Sequence, residues 1–445
     1  MSFPAYGSYK DSGVEWLGEI PAHWTIMPLK RDLDFLTSGS RGWADHYADD
    51  GALFIRIGNL TRDRLTLDLD DIQRVDVPPG AEGERTQVQP GDLLFSITAY
   101  LGSVAVVPEK LETAYVSQHV ALARLRAERL LPAWVGYVAL SWLGKTYLET
   151  RGYGGTKIQL SLDDIAEMVI TAPPLAEQRA IAAFLDRETA KIDALVEAQR
   201  RLIELLKEKR QAVISHAVTK GLDPSAPMKD SGVEWLGQVP AHWEVARQAQ
   251  LFREIAEPGN DDLPVLSVSI HTGVSDGEVD PEDADRKITR SEDRSKYKSV
   301  QPGDLVYNMM RAWQGGFGTV TTLGAVSPAY VVARPLGDLE TQFVELLLRT
   351  PQAVEEMRAR SRGITDFRLR LYWEQFREIV IAIPPKEERI AILEFVLEEA
   401  RKMEALSTQA EAAITLLQER RAALISAAVT GKIDVRGLVK TAEAA

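Results

Sequence analysis

Apolar positions along this chain follow two spacings, and each spacing occurs in two blocks. From Pro173 to Thr219 the chain reads PPLAEQRAIAAFLDRETAKIDALVEAQRRLIELLKEKRQAVISHAVT. From Pro384 to Thr430 it reads PPKEERIAILEFVLEEARKMEALSTQAEAAITLLQERRAALISAAVT, and both 384 − 173 and 430 − 219 equal 211. Each block opens on Pro-Pro, which ends the preceding element and seats a first helical turn. Each then runs without Gly or Pro through strong helix formers. Ile181, Leu185, Ile192, Leu195, Leu202, Leu206 and Val213 recur in steps of three, four or seven, as do Ile392, Val396, Met403, Leu406, Ala413, Leu417 and Leu424. Such an a/d stripe predicts two coiled-coil helices, each about 65 Å long at 1.5 Å per residue, that form a rod when paired. Both stripes are broken alike, by Glu188 and Glu399 at one d position and by Lys209 and Arg420 at another. In an antiparallel pair the acid of one helix faces the base of the other; the alternative is charges that are solvated or snorkel.

Outside these blocks the apolar runs are short and bounded by Gly, Pro and Asn, which predicts strands. DSGVEWLGEIPAHW at 11–24 recurs as DSGVEWLGQVPAHW at 230–243, an offset of 219, so the second unit is eight residues shorter before its Pro-Pro (219 − 211 = 8). In the first unit, strands are expected at 53–57, 93–96, 102–107 and 116–125. A helix over 132–150, a glycine loop at 152–157, a short helix at 161–167 and a strand at 168–171 follow. The second unit keeps this order, with a strand at 265–270 and Gln301-Pro302-Gly303-Asp304 matching Gln89-Pro90-Gly91-Asp92. An exposed acidic loop at 276–293, a glycine bend at 315–318, a helix over 342–360 and a closing loop at 363–371 complete it. The expected fold class is α+β: two globular α/β domains related by pseudo-two-fold symmetry, separated by two long antiparallel coiled-coil helices. The expected domains are 1–172, a central helix at 173–220, 221–383, a distal helix at 384–432, and a tail at 433–445. Thr430-Gly431-Lys432 resembles the start of the linker at 219–227, and the N-terminus resembles its end, so joining the chain ends recreates the central junction.

Composition narrows the function. A chain of 445 residues exceeds one hydrophobic core. A net charge of −13 argues against a generally sticky nucleic-acid binder. Without Cys there are no disulfides or thiolate metal sites, which suits a reducing cytoplasm. His23 and His242 share a repeated Pro-Ala-His-Trp turn, which points to packing or capping rather than metal ligation. No apolar run spans a bilayer, and MSFPAYGSYKDSG has no signal-peptide core, so a cytoplasmic protein without membrane contact is expected. Enzyme motifs fail: Gly144-Lys145-Thr146 has Ala139 where a phosphate loop needs Gly, and neither Pro-Pro has the flanking residues of an adenine methyltransferase motif. Asp285-Arg286-Lys287 fits a nuclease tripeptide, but that tripeptide arises often by chance.

The Pro-Pro-x-x-Glu helices, the repeated DSGVEWLG…PAHW turns and the Gly-Asp-Leu strands resemble, in order and over nearly the whole chain, the specificity (S, HsdS) subunit of type I restriction–modification systems. That resemblance implies two target recognition domains, each reading half of a bipartite, asymmetric double-stranded DNA site. It implies that the helices set the spacing and dock modification (M) subunits, two of them, with restriction (R) subunits joining through the M–S core. S-adenosylmethionine, ATP and Mg2+ are then expected on those partners, leaving this chain without a cofactor, a metal or catalytic residues. Two tethered readers suit such a site, because engaging one half makes the other encounter intramolecular. A self-contained restriction or modification enzyme and a coiled-coil protein adaptor are the alternatives.

Candidate DNA contacts follow from side-chain chemistry. Arg358, Arg360, Arg362, Arg368 and Arg370, interleaved with Phe367 and Tyr372, supply guanidinium forks and aromatic faces. The other reading is a solvated helix end paired with Glu355 and Glu356. The 211 register sets Lys157 and Gln159 opposite Arg368 and Arg370. Thr98 and Tyr100, and Asn308, Arg311, Trp313 and Gln314, follow the two Gly-Asp turns; Trp313 reads equally as core. Arg41, Arg56, Asn59, Arg62 and Arg64 form a further polar cluster.

Overall fold

A computed structural model describes residues 3–39, 41–77, 80–154, 158–260, 262–270, 273–275, 296–363 and 369–438. Lys157, Phe367, Arg368, the acidic loop at 276–293 and its Asp285-Arg286-Lys287 lie outside them. Contacts divide the chain into two units, Met1–Arg200 with Glu411–Ala445, and Arg201–Ala410.

In the first unit an antiparallel sheet runs in the order Leu33–Ser38, Val120–Leu125, Leu93–Ser96, Val104–Val106. Its strands read as apolar runs because both faces are covered. Leu93, Phe95, Ala121 and Ala123 enter one core, while the alternate residues Leu94, Val120 and Leu122 enter another. The first core also takes in the helices; the second packs beneath a small sheet that includes Ala52–Ile55 and Ala114–Val116. The second unit has the same order, Phe252–Ile255, Tyr330–Pro335, Leu305–Asn308, Phe317–Thr319, and the same division of alternate residues between two cores.

The Gln-Pro-Gly-Asp turns show why this frame recurs. Asp92 accepts from the Gln89 N–H at 2.7 Å and from Arg124 Nε and Nη2, both at 2.7 Å. Asp304 accepts from the Gln301 N–H at 3.0 Å and from Arg334 Nε and Nη2 at 2.9 and 3.0 Å. Each aspartate, at most 1% exposed, thus clamps the turn to the neighbouring strand through a bidentate arginine.

Three expected elements divide. The strand over 116–125 is two strands, Ala114–Val116 and Val120–Leu125, separated by a turn at 117–119. The helix over 132–150 is Pro132–Leu140 and Trp142–Arg151, because Ser141 is extended and its Oγ accepts from the Gly144 N–H. Likewise 342–360 becomes Thr341–Leu348 and Pro351–Arg360, with Thr350 capping Ala353. A hydroxyl cap interrupts the apolar period that suggested one helix.

The long helices are Leu175–Lys220 and Lys386–Val429. Pro174 O accepts from the Glu177 and Gln178 N–H groups, so the Pro-Pro does seat the first turn. Within the first unit the two segments run antiparallel, since Thr171 bonds Val429 and Asp193 pairs with Arg421 at 2.9 Å. Within the second, Arg210 lies 3.9 Å from Glu404, while Ala217 and Val218 share a core with Ile392 and Val396.

One column of the predicted seam is displaced. Ile181, Leu185, Ile192, Leu206, Ile392, Val396 and Met403 are buried, and Val213, Leu417 and Leu424 are half-buried. Leu195, Leu202 and Leu406 are instead 51%, 41% and 47% exposed, while Val196 and Ala410 are buried. The helix ends explain the rotation: Ile181, Ala182, Phe184 and Leu185 are all set in the globular core. With that face fixed, the second inward column falls four residues after the first rather than three. The facing charges move with it. Glu188 pairs with Arg187 and Lys191 of its own helix, and Glu399 with Lys402. Lys209 and Arg420 are exposed.

Candidate nucleic-acid interface

Each globular frame ends in a narrow backbone ribbon. In the first unit Tyr153 and Gln159 exchange both N–H···O bonds, at 2.9 and 2.8 Å, and Thr98 bridges Gln159 from the other side. Directly opposed residues of antiparallel strands point to the same face. Thr98, Gln159 and Tyr153 therefore stand in one row. Ala99, just after Thr98, has φ +59°, a left-handed conformation unfavourable for any residue with a Cβ. Beside the row, Tyr100 is 60% and Ile158 46% exposed.

In the second unit Arg362 and Arg370 exchange both N–H···O bonds, at 2.9 and 3.0 Å, and Met309 O accepts from the Leu371 N–H. The contact matches Ile97 O with the Leu160 N–H, which sets Met310 where Thr98 stands and Arg370 where Gln159 stands. Gln375, with its amide oxygen toward Arg362, accepts from Nη2 at 3.0 Å and Nε at 3.2 Å. Nearby, Trp313 Nε1 donates to Met310 O, and the Arg358 guanidinium lies 5.8 Å from the Trp313 ring centroid. Trp313 is half-buried and Gln314 exposed. The Asn308 carboxamide accepts from the Met310 N–H and shapes the bend. Arg311 is half-buried at the base of the same bend. Arg360, half-buried, pairs with Glu356 one turn back.

The third cluster does not join the first-unit row. Asn59 is 3% exposed and its carboxamide is used by the Arg56 N–H, Asp68 O and Asp71 O, so it organises its own loop instead of facing solvent. Arg56 pairs with Asp71 at 2.9 Å and Arg62 with Glu149. Arg64 lines a cavity of about 520 Å³ with Lys145, Arg200 and Arg421. Arg41 is exposed. Sequence reasoning missed Tyr153, Ile158, Met310 and Gln375; a Gly-rich loop gives no cue to which of its residues pair.

The repeated Pro-Ala-His-Trp turns are tied to the helix starts through one repeated lock. Glu177, of the first Pro-Pro-x-x-Glu, accepts from Trp24 Nε1 at 3.0 Å and Tyr6 Oη at 2.7 Å, with His23 Nε2 at 2.8 Å from its other oxygen. Burial, then the hydrogen bond to Glu177, pushes the Tyr6 phenol well above its ordinary range. Glu388 accepts from Trp243 Nε1 at 3.1 Å, with His242 Nε2 at 2.6 Å. The two histidines thus hold a helix start. Among the described residues no His, Asp and Glu cluster could hold a metal, and no helix is long and apolar enough to cross a membrane.

One frame used twice, with a different row on each copy, is the architecture of an internally duplicated protein. Residues 80–205 match the family described as the type I restriction modification DNA specificity domain. The chain is 22% identical over 447 residues to the type I restriction enzyme EcoKI specificity subunit of Escherichia coli K12, covering 94% of this chain and 91% of that one. It is 25% identical over 240 residues to the putative MjaX specificity subunit of Methanocaldococcus jannaschii, covering 52% of each. Its fold is similar to that of the HsdS subunit from Thermoanaerobacter tengcongensis (TM-score 0.51, 14% identity, covering 93% of this chain and 98% of that one). A chain from a structure of type I R-M complex assembly matches at TM-score 0.65 with 15% identity, covering 92% and 98%. The chain is thus similar, over nearly its whole length, to specificity subunits of type I restriction–modification systems, and residues 80–205 carry the DNA specificity domain of that family.

Proposed function

We propose that each unit reads one half of a bipartite duplex DNA site, and that the long helices hold the spacing and dock the M subunits. The observation that carries this is the matched pair of rows, Thr98–Gln159–Tyr153 and Met310–Arg370–Arg362, on one frame with different chemistry. A frame that recurs with a different row on each copy is what two different half-sites require. Exposed Leu195, Leu202 and Leu406 supply apolar surface for helices of M, which carries S-adenosylmethionine, while ATP and Mg2+ act on R. The acidic total of −13 fits a subunit whose partners furnish much of the phosphate contact in the cytoplasm.

Exchanging residues 25–172 for the corresponding domain of another specificity subunit tests the reading, with methylated adenines sequenced in a host carrying the M subunit. One half of the methylated motif should change, leaving the other half and the spacer alone. Inserting a heptad between Leu195 and Leu202 should change the spacer or abolish assembly without altering either half. A domain exchange that alters both halves, or neither, refutes the reading.

A further inference from the structure

We infer that the second unit's row reads guanine through Arg362 and Arg370, and that the first unit's row reads an A·T pair through Gln159 with aromatic support from Tyr153. This rests on the proposed half-site reading and names the bases that each ribbon selects.

The second unit's ribbon holds an unfavourable arrangement of charge. Arg362 and Arg370 exchange both backbone hydrogen bonds, so their guanidinium stems rise from directly opposed positions on one face. Like charges placed directly across a strand pair repel. A ribbon that keeps this arrangement in isolation is set up for an anionic or acceptor-rich ligand between its arms. Both residues are exposed, and Gln375 engages Arg362 without neutralising it. A phosphate needs only charge and is met by any surface lysine or arginine. Each planar fork matches the O6/N7 acceptor pair of one guanine in the major groove, and a two-stranded ribbon fits that groove.

In the first unit the same positions carry no charge. Gln159 is exposed, and its carboxamide is bonded to no described residue. A carboxamide offers one donor and one acceptor, the complement of adenine N6 and N7. Tyr153 is 57% exposed beside it, and Tyr100 and Ile158 flank the row, which gives apolar surface for a thymine methyl. An uncharged row draws little of its binding from phosphates, so discrimination must come from base edges and apolar contact. The backbone that presents it is held in an unfavourable conformation at Ala99.

The test uses the assembled M–S complex and duplex pools randomised in each half-site, with adenine methylation read by sequencing. Wild type should require guanine in the half assigned to the second unit. Arg370→Gln should lower guanine preference at one position of that half by about tenfold to a hundredfold, leaving the other half unchanged. Arg370→Lys should lose the same preference while retaining charge. Gln159→Ala should relax an A·T requirement in the opposite half. Weakened methylation across all sequences with preferences unchanged would assign the arginines to phosphates and overturn the inference. So would a second half-site that lacks guanine. A wild-type complex that selects no two-part sequence would refute half-site recognition itself, and this assignment with it.

Discussion

Glu177→Ala and Glu388→Ala remove the same motif residue from the two units, and the structure gives them unequal consequences. Glu177 is 6% exposed and accepts from two buried donors, Trp24 Nε1 and Tyr6 Oη, besides facing His23. Its loss leaves both donors without an acceptor at about 1–3 kcal/mol each, and removes a charged acceptor, so roughly 3–5 kcal/mol is expected. Glu388 has no tyrosine partner among the described residues. Its side chain is 26% exposed and that of His242 48% exposed, so water replaces the lost carboxylate. Here about 1–2 kcal/mol is expected. At about 2–4 °C per kcal/mol for a domain of this size, calorimetry should show Glu177→Ala lowering the first unit's Tm by on the order of 10 °C. Glu388→Ala should lower the second unit's Tm by only a few degrees. Glu177→Gln keeps an acceptor for Trp24 and Tyr6 and should recover most of the loss. Equal shifts for the two alanine variants, or a larger one at Glu388, would refute the argument that burial and the Tyr6 bond set the strength of each lock.

Other outcomes follow from single contacts. Tyr307→Phe removes a fully buried hydroxyl that has no hydrogen-bond partner among the described residues, and should stabilise the second unit by about 1 kcal/mol in thermal melts. Burial, first of all, pushes the Tyr6, Tyr137 and Tyr307 phenols up. Their contribution is therefore complete below about pH 10, where unfolded tyrosine ionises, and is lost as the pH rises beyond it; Tyr307→Phe should flatten that alkaline fall. Asp304→Ala leaves Arg334, 13% exposed, with only the more exposed Glu257 as its acid partner, and should cost about 2 kcal/mol in urea unfolding. Ala99→Gly relieves a positive φ and should add about 1 kcal/mol to the first unit's stability. Leu195→Glu on an exposed position should leave the Tm within about 2 °C, yet abolish co-purification with the M subunit.

The parts of this fold that were legible in the sequence are those with strong local chemistry. Pro-Pro followed by an unbroken run of helix formers located both long helices to within two residues at their starts, Leu175 and Lys386. The Gln-Pro-Gly-Asp turns announced strands because Gly and Pro restrict the backbone there. What stayed hidden depends on tertiary contact. The inward column of the long helices moved from Leu195 to Val196 because a globular core, not the heptad, fixes the helix's rotation. Ser141 and Thr350 look like ordinary polar positions in an amphipathic helix until their hydroxyls are seen capping a new one. Arg362 and Arg370 were singled out by side-chain chemistry and Gln159 by its register with Arg370, but that Arg362 pairs with Arg370 and Tyr153 with Gln159 is set across a loop whose pairing no local signal gives. Asn59 has the chemistry of a base contact and is spent on its own loop, since carboxamides serve backbone and bases equally well.

The division between frame and row also has an energetic reason. Asp92, Asp304 and Glu177 are buried, each held by two or more hydrogen bonds, so most substitutions there cost several kcal/mol. Gln159, Tyr153 and Arg370 are exposed, where substitutions usually change stability by no more than about 0.5 kcal/mol. A domain stable by about 5–15 kcal/mol therefore tolerates almost any side chain in its row and very few in its clamps. After a duplication the two copies can diverge where they face solvent without either losing its fold. The aspartate–arginine clamps and the glutamate–tryptophan locks recur in both units for that reason, while Gln159 and Tyr153 in one copy stand opposite Arg370 and Arg362 in the other. Two unlike rows on one repeated frame are thus a consequence of where the stability resides.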